Sequence, residues 1–500
     1  MKHFIIVGGG IAGLGAAYKL RRAAQAGVDV SFTLVEKDER LGGKLATAYI
    51  DDPGTGGRFI IDGGSDSFLT EKPALHRVAR LLGVFDDESP TADENKRTFI
   101  VKRGRLVEMP DGIMMFAPTK ILPMATTSLY SWPAKFRMAL DLVIPPKRLA
   151  PGERNDETLE SFVVRRMGRE CLDRLAEPLV GGVNGSDPAL MSLGATYPSL
   201  LAMEQEHGSL VRGFLAQRKK VEAMKAKYPP KPGAKPRTFF SSFYQGMQWV
   251  CERMADAAGR DSIFTGVAAT AVTRGADGTW SVTLDDGRVL SGDAVILATE
   301  VWAAEGLMRA VDAQIADLLG TIPSTSSATV PIAYDEADCP FDRRWHGILS
   351  PRIEKRQVTG ISLVSSKWPG KTPVGRVMLR AFVGGPHGQD VLARSDEEIV
   401  KIVRRELEDL LGVRKGAEPL FARVFRWDKG MPQYTLGHLD RADAIEARVG
   451  DVPGLGLAGG MLRGVGVPNC LESGENEVSR ILAQWEISLA EDSAEEKRIY

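Results

Sequence analysis

A glycine-rich turn near the start of the chain constrains the fold more than any other feature of the sequence. Residues 4–7 (F-I-I-V) are apolar and mostly β-branched, which is typical of a buried parallel strand. The turn 8–13 (G-G-G-I-A-G) follows, and residues 14–22 are rich in alanine and leucine, which predicts a helix. A second strand is predicted over residues 30–35 and ends at Glu36. The sequence therefore predicts a βαβ unit with parallel strands.

The turn has the spacing of a dinucleotide-binding loop. Gly8 permits the tight turn, Gly10 lets the backbone approach a pyrophosphate, and Gly13 allows close packing of helix on strand. The helix N-terminus adds unpaired N–H groups and a partial positive charge. Glu36, 23 residues beyond Gly13, can accept hydrogen bonds from a ribose hydroxyl. A dinucleotide is predicted to bind these four residues and Gly9, Ile11, Ala12 and Lys37; the alternative is an accidental glycine turn.

Composition excludes several other classes of protein. Lysine and arginine total 64 against 65 acidic residues, a net charge of -1, which argues against nucleic acid as the main partner. Four widely separated cysteines predict neither a metal site nor a disulfide framework. The N-terminus lacks a signal-peptide pattern and no apolar stretch is a convincing membrane span. We therefore expect a cytoplasmic protein.

A second glycine pair follows Glu36. Residues 40–47 (R-L-G-G-K-L-A-T) place Gly42 and Gly43 beside basic residues, where the backbone can approach phosphate again. The segment resembles the R-x-G-G-R-x-x-T signature of the flavin amine oxidase superfamily, with Lys44 in place of arginine. The resemblance implies FAD as the dinucleotide, with Gly43, Lys44 and Val267 in its site.

Two further regions are expected near the flavin. Val465, Gly466 and Val467 lead into a helix whose N-terminus could stabilise negative charge on a reduced flavin ring. Trp427 either stacks near the flavin or lies in the core. Cys470 resembles no covalent attachment motif, so we expect non-covalent FAD.

The rest of the chain resembles the bacterial protoporphyrinogen/coproporphyrinogen III oxidase family. Residues 62–70 (D-G-G-S-D-S-F-L-T) are similar to its E-x-G-P-D-S-F-L motif. Similar segments follow in family order at residues 109–112, 117–120, 131–145, 177–183, 206–210, 366–370 and 431–438. The resemblance implies that Gly63, Gly64, Ser65 and Asp66 contact the cofactor. It also places Lys72 at the mouth of the active site, where it either binds a substrate propionate or is a solvated lysine.

The same resemblance implies the reaction. It is the six-electron oxidation of a porphyrinogen, coproporphyrinogen III or protoporphyrinogen IX, to the porphyrin in haem biosynthesis. Dioxygen would accept the electrons and leave as hydrogen peroxide. No catalytic acid–base residue is predicted, since the cofactor carries the difficult step; His207 and His438 are interpreted as structural. The alternatives are an amine oxidase or carotenoid desaturase, and a non-catalytic flavin-binding scaffold of the haem pathway.

The predicted fold is α/β, with a Rossmann-like (GR2-type) FAD-binding domain, a mixed-sheet substrate domain and an α-helical insertion. The FAD-binding domain is expected to combine residues 1–105, 238–310 and 440–490. Residues 106–237 would form the helical insertion and residues 311–439 the substrate-binding domain. Within the insertion, residues 159–177 predict one amphipathic helix and residues 229–236 a proline-rich linker.

The resemblance leaves two partners open. The insertion either covers the substrate or rests on the inner face of the cell membrane. Another enzyme of the haem pathway is a further candidate partner.

Overall fold

A computed structural model describes residues 1–182, 185–227 and 238–489. The proline-rich segment 229–236 and the charged tail beyond residue 489 lie outside the described residues. The strands are β1 (Lys2–Val7), β2 (Val30–Val35), β3 (Thr47–Asp51), β4 (Arg58–Asp62), β5 (Phe68–Leu69), β6 (Glu88–Pro90), β7 (Thr98–Lys102), β8 (Arg105–Glu108), β9 (Ile113–Met114), β10 (Ala117–Pro118), β11 (Phe240–Phe243), β12 (Ile263–Phe264), β13 (Ala269–Arg274), β14 (Trp280–Leu284), β15 (Val289–Gly292), β16 (Ala294–Leu297), β17 (Ser324–Asp335), β18 (Gly347–Leu349), β19 (Val358–Leu363), β20 (Arg376–Gly384), β21 (Phe421–Ala422), β22 (Phe425–Pro432) and β23 (Leu455–Leu457).

The helices are distributed between these strands. They are α1 (Ile11–Gln25), α2 (Ala74–Leu81), α3 (Ile121–Thr126), α4 (Trp132–Ala139), α5 (Leu159–Arg166), α6 (Arg169–Cys171), the π-helix α7 (Leu172–Gly181), α8 (Leu193–Thr196), α9 (Pro198–His207), α10 (Leu210–Lys227), α11 (Met247–Ala258), α12 (Val301–Met308), α13 (Ala313–Gly320), α14 (Val364–Lys367), α15 (Gln389–Leu392), α16 (Asp396–Leu411), α17 (His438–Gly450) and α18 (Val467–Gln484). Among the residues that the structure describes, no helix is both long enough and apolar enough to cross a membrane.

The chain divides into two compact units. The first combines Met1–Thr91, Arg237–Ser324 and the chain from Asp440 onward. The second combines Ala92–Pro236 and Thr325–Leu439. The predicted assignment of cofactor, insertion and substrate roles to three sets of residues stays a prediction.

A five-stranded parallel sheet, ordered β12-β2-β1-β16-β23, forms the centre of the first unit. Its β1 is buried on both faces: Phe4 and Ile6 belong to one apolar cluster, and Ile5 and Val7 belong to another. A strand covered on both sides has no polar face, which explains the unbroken apolar run in the sequence. The predicted βαβ unit of β1, α1 and β2 is confirmed.

Helices α1 and α18 pack against each other at backbone distance within this unit. A Cβ atom added to Gly474 would lie 1.9 Å from the carbonyl oxygen of Ala12. A Cβ atom on Gly15 would lie 2.8 Å from a methyl group of Leu471 and 3.0 Å from its carbonyl oxygen. Glycine at both positions therefore lets the helices approach more closely than any side chain would allow.

The second unit contains a mixed sheet, ordered β21-β17-β20-β19-β18-β7-β8, in which β18 and β7 run parallel. The helical part of this unit encloses a group of buried charges. Arg166 and Asp141 are fully buried, and the Nε atom of Arg166 donates to Oδ1 of Asp141 over 2.7 Å. Glu204 accepts from Arg165 over 2.5 Å. Removing one member of a buried ion pair typically costs about 3–5 kcal/mol, so these charges fix the helices to one another.

Substituting Gly474 by alanine tests the helix contact in the first unit. The new methyl group would overlap Ala12 and push α18 away from α1, so we expect a loss of about 1–3 kcal/mol in the free energy of unfolding. The matched control is Gly306→Ala in α12, where no atom lies within 4 Å of an added Cβ. That substitution should be neutral or stabilising by up to about 1 kcal/mol. Urea denaturation measures both, and equal effects would contradict the packing argument.

Candidate cofactor site

The first turn of the site is held in shape by Gly8 and Gly13. The Gly8 amide donates to the carbonyl of Val35 over 2.8 Å, and Gly8 has a φ of +111°. An added Cβ on Gly8 would lie 2.5 Å from the carbonyl oxygen of Ala298, and one on Gly13 would lie 1.9 Å from that of Gly8. Both glycines are therefore required by the fold of the turn.

Gly10 differs from these two glycines. It is the N-cap residue of α1, with extended φ and ψ angles of -72° and 178° that any residue can adopt. Apart from the adjoining residues of the chain, no atom of the described residues lies within 4 Å of an added Cβ, and no side chain among them caps the helix. The fold itself therefore does not require glycine here. What Gly10 provides is open space beside the unpaired N–H groups of the helix, which is what a bound phosphate requires.

Glu36 connects the end of β2 to this turn. Its carboxylate accepts hydrogen bonds from the amides of Gly9 over 2.6 Å and Asp38 over 2.9 Å, and the side chain is buried. Each carboxylate oxygen can accept a second bond, so the predicted contact with a ribose hydroxyl stays available. Lys37 is exposed beside it, and the buried Ile11 and Ala12 form the start of α1.

A second glycine loop lies directly against the first. The Gly42 amide donates to the carbonyl of Gly9 over 2.8 Å, and a Cβ on Gly43 would lie 3.2 Å from Cα of Gly10. Arg40 holds the loop from inside: its guanidinium donates to the carbonyls of Gly43 over 2.6 Å and Leu45 over 3.2 Å. The two predicted approaches to phosphate are thus adjacent in the structure.

The charge of Lys44 is already paired. Its Nζ atom lies 2.9 Å from Oε1 and 3.0 Å from Oε2 of Glu300, the N-cap residue of α12. Sequence reasoning placed Lys44 in the site but missed both Glu300 and the structural role of Arg40. Arg40 stands at the start of its motif, and this position could have indicated its role. Glu300 follows a buried strand, and no other feature of the sequence indicates that it pairs with Lys44.

Two more predicted segments lie in the same unit. The amide of Val267 donates to the carbonyl of Glu36 over 3.0 Å, which places Val267 beside the end of β2. The amide of Gly63 donates to the carbonyl of Ala46 over 2.8 Å, next to the second glycine loop. Three further predicted residues follow Gly63 in the chain: Gly64, Ser65, whose hydroxyl donates to the carbonyl of Ser67 over 2.9 Å, and the buried Asp66.

The start of α18 brings Lys72 to the predicted flavin-facing turn. Gly466 is the N-cap of α18 and has no side-chain cap, and Val465 and Val467 beside it are half-buried. The Nζ atom of Lys72 donates to Oδ1 of Asn469, in the first turn of this helix, over 2.9 Å. Lys72 thus carries its positive charge to the N-terminus of α18, and Asn469 is a contact that the sequence did not indicate.

Three predicted residues belong to the second unit or its edge. Trp427 is half-buried on β22, and its two predicted environments stay open. His438 is fully buried and stacks on Tyr434 at 3.9 Å between ring centroids. The segment of His207 continues into Gly208 and Ser209, whose carbonyl and hydroxyl bond to Arg166 and Asp141. The segment around His207 therefore provides hydrogen-bond partners for the buried ion pair of Arg166 and Asp141.

The residues of the first unit fit FAD. The open space at Gly10 and the uncapped start of α1 suit a pyrophosphate, and Glu36 suits a ribose. The second uncapped N-terminus, that of α18, offers partial positive charge to the electron-accepting end of a flavin. Within this unit, the site supplies backbone N–H groups and helix termini where it needs positive charge.

The chain is similar to known flavin-dependent proteins along most of its length. Residues 11–482 match the family described as flavin containing amine oxidoreductase. The chain is 30% identical to coproporphyrinogen III oxidase of Bacillus subtilis, over 96% of this chain and 98% of that protein. It is 27% identical to chloroplastic protoporphyrinogen oxidase of Nicotiana tabacum, over 95% and 85% of the two chains.

A solved structure is also similar. It is a protein from Exiguobacterium sp. 255-15 that carries a provisional assignment as protoporphyrinogen oxidase, with a TM-score of 0.81 and 30% sequence identity. The similarity covers 97% of this chain and 99% of that one.

Gly10→Ala separates cofactor binding from folding. Because nothing surrounds the added methyl group, the free energy of unfolding of the flavin-free protein should change by less than about 0.5 kcal/mol. The methyl group would instead occupy space beside the helix N-terminus, so we expect flavin affinity to fall at least tenfold. Flavin titration followed by fluorescence quenching measures the affinity, with Gly306→Ala as the control. Unchanged affinity would show that the phosphate does not bind at Gly10.

Proposed function

This chain belongs to the family of flavin containing amine oxidoreductases, and from that premise we propose that it is an FAD-dependent porphyrinogen oxidase of haem biosynthesis. The predicted family and α/β fold class are confirmed, and the cofactor is a flavin. The observation that carries the proposal is the similarity to coproporphyrinogen III oxidase along almost the full length of both chains. An amine oxidase would share the N-terminal motifs but would not account for the matches between residues 109 and 438.

The proposed reaction removes six electrons and six protons from the macrocycle. In each of three rounds, one carbon–hydrogen bond of a bridging methylene breaks with its electron pair, and a pyrrole N–H gives up a proton. Tautomerisation then moves one proton from the fourth methylene bridge to a pyrrole nitrogen, which leaves the four methine bridges and two N–H groups of a porphyrin. When bound, a flavin accepts the hydride and passes the two electrons to dioxygen, which leaves as hydrogen peroxide. One porphyrinogen and three dioxygen molecules therefore give one porphyrin and three hydrogen peroxide molecules.

The residues of the first unit contribute binding and electrostatics. Gly10 and Gly43 leave room for the phosphates, and Glu36 holds a ribose hydroxyl. The N-terminus of α18, with Lys72 bonded to Asn469 in its first turn, favours the cofactor when it carries negative charge. No residue is assigned as a general acid or base, since the pyrrole nitrogens release their own protons.

The cofactor is proposed to be held without a covalent bond. Cys470 is the cysteine closest in sequence to the flavin-facing turn. Burial raises the pKa of its thiol to about 11, while Lys44 lowers it only in part. A thiol that stays protonated at neutral pH is a poor nucleophile for attachment. Denaturation should therefore release free FAD into the supernatant.

Coproporphyrinogen III is the substrate we propose first. The relatives with 30–31% identity in Bacillus, Propionibacterium and Staphylococcus carry that name, whereas the chloroplastic relatives named protoporphyrinogen oxidase are 26–28% identical. Coproporphyrinogen also carries two more propionates, for which a cation such as Lys72 is a suitable partner.

An aerobic oxidation assay tests this function. Each porphyrinogen is prepared under argon, mixed with the enzyme and exposed to air, while porphyrin fluorescence, oxygen uptake and peroxide are followed. We expect porphyrin formation with three dioxygen molecules consumed per porphyrin. Lys72→Gln should raise KM for coproporphyrinogen roughly tenfold or more, because a charged hydrogen bond is lost, while flavin content is unchanged. Arg21→Gln, an exposed cation on α1, is the control.

Two results would contradict the proposed reaction, and a third would contradict only the role of Lys72. Flavin reduction by an amine, without porphyrinogen turnover, would indicate an amine oxidase. A stable bound flavin with no turnover of either porphyrinogen would indicate a scaffold. An unchanged KM in Lys72→Gln would remove Lys72 from the substrate site but leave the reaction in place.

The helical part of the second unit is proposed to attach the enzyme to the inner face of the cell membrane. Over residues 121–143, large apolar side chains face solvent with 41–89% of their surface exposed: Ile121, Leu122, Trp132, Phe136, Leu140, Leu142 and Val143. We call these seven residues the apolar run. Exposed apolar surface of this extent marks an interaction site.

Loss of two aromatic side chains tests the attachment. Trp132→Ser with Phe136→Ser removes two rings that lie 6.4 Å apart and are 62% and 71% exposed. We expect at least tenfold weaker binding to vesicles of phosphatidylcholine and phosphatidylglycerol in a flotation assay. The control is Ile353→Ser with Val374→Ser, which removes exposed apolar side chains elsewhere in the same unit. Equal losses in both variants would argue against a specific attachment surface.

A further inference from the structure

Helix α10 has an apolar face that continues beyond the part of the protein that covers it. Leu210, Phe214, Val221 and Met224 follow one another at spacings of four, seven and three residues, which places them on one face of a helix. Leu210 is fully buried and Phe214 is 5% exposed, but Val221 is 46% and Met224 55% exposed. Every residue from 217 to 224 is exposed. Among the residues that the structure describes, nothing covers the apolar face of the distal half of α10.

Positive charges flank this face. Residues 212–227 contain six basic residues and one acidic residue, Glu222, in a chain whose net charge is -1. At 3.6 residues per turn, Arg218 lies on one side of the apolar face, and Lys220 and Lys227 lie on the other. The helix dipole favours cations in the last turn, which accounts for Lys227, but it does not account for the cations in mid-helix.

The start of α10 lies beside the apolar run. Asp141 lies between Leu140 and Leu142 of the apolar run in the sequence. Its carboxylate accepts hydrogen bonds from the Val211 amide over 3.1 Å and from the Ser209 hydroxyl over 2.6 Å. The exposed stretch begins at Gln217, six residues beyond Val211, and a helix rises 1.5 Å per residue, so it begins about 10 Å along the axis. The exposed half of α10 and the apolar run therefore begin close to one another in the second unit.

We propose that the distal half of α10 is a second membrane contact and that it selects anionic lipid. This inference rests on the membrane attachment proposed above and adds the charge of the headgroup and the helix that recognises it. Val221 and Met224 would enter the boundary between headgroups and acyl chains, while Lys220 and Lys227 extend to the phosphates. Arg218 lies 3.4 Å from Glu222 and is already paired. An acidic protein would match the charges but not the apolar face between them, whereas an anionic bilayer matches both.

A pair of charge reversals on opposite sides of the helix tests this proposal. Lys220→Glu with Lys227→Glu reverses charges that flank the apolar face. Arg212→Glu with Lys219→Glu makes the same change in net charge on the far side of the helix. Flotation is measured on vesicles of phosphatidylcholine alone and with phosphatidylglycerol, at low and high salt. The full-length, flavin-loaded protein is used throughout.

We expect the unaltered protein to bind vesicles with phosphatidylglycerol at least tenfold more strongly than pure phosphatidylcholine, with the difference falling at high salt. The variant with Lys220→Glu and Lys227→Glu should bind the anionic vesicles at least tenfold more weakly than the unaltered protein. The control variant with Arg212→Glu and Lys219→Glu should lose less than threefold in affinity. Val221→Ser with Met224→Ser should weaken binding without changing the preference for anionic lipid. Flavin content and the thermal midpoint should not change in any variant.

Other outcomes overturn the proposal in distinguishable ways. Equal binding to both vesicle types, or equal losses in the two charge-reversed pairs, would show that α10 does not recognise anionic lipid. If only the Trp132 and Phe136 variant loses vesicle binding, the result supports membrane attachment through the apolar run and contradicts the proposed role of α10. If no vesicle binds the unaltered protein, both membrane proposals fail, while porphyrinogen oxidation in the same preparation is decided by its own assay.

Discussion

Backbone contact between α1 and α18 is the constraint on which the cofactor site depends. The crossing lies at Ala12 and Gly474, one turn or less from the start of α1 and about 10 Å along α18 from its start. Both helix N-termini are therefore fixed relative to one another and to the parallel sheet. A side chain at the crossing would separate them by the width of at least one methyl group. The phosphates and the reactive ring of a dinucleotide must reach their binding groups at the same time. We therefore expect that separation to weaken cofactor binding.

The site takes its positive charge mainly from the backbone. Lys44 is paired with Glu300, and Arg40 is committed to the carbonyls of its own loop, so neither presents a free charge to a phosphate. What faces the open space at Gly10 is the uncapped start of α1. Backbone N–H groups have fixed positions, so they orient the cofactor at little cost in side-chain entropy. This arrangement suits an enzyme whose cofactor carries the chemical step and whose own contribution is orientation.

The sequence predicted the parts of the site that depend on local geometry. Gly8, Gly10, Gly13 and Glu36 could be placed because each role follows from the turn between a strand and a helix. Glu300 and Asn469 could not, since they meet their partners Lys44 and Lys72 only after segments 256 and 397 residues apart fold together. Roles that depend on tertiary contacts carry no local pattern.

The same limit applies to the helical part of the second unit. One helix was predicted over residues 159–177, but the structure breaks it at Gly168, which has a φ of +92°, and continues as the π-helix α7. The amphipathic pattern indicated which side chains are buried, but it did not indicate that the helix is interrupted at Gly168. Pro178 within α7 cannot donate to the helix, which favours an irregular turn there.

This part of the chain combines an apolar core with buried charges and with apolar side chains at its surface. Arg166, Asp141 and Glu204 are buried, whereas Trp132 and Phe136 face outward. Buried ion pairs give helices a defined arrangement without requiring that their apolar side chains turn inward. The helices can therefore keep a rigid fold while exposing apolar side chains at their surface. Exposed apolar side chains promote aggregation unless a surface covers them, so the buried ion pairs and the proposed membrane attachment of the apolar run together account for this arrangement.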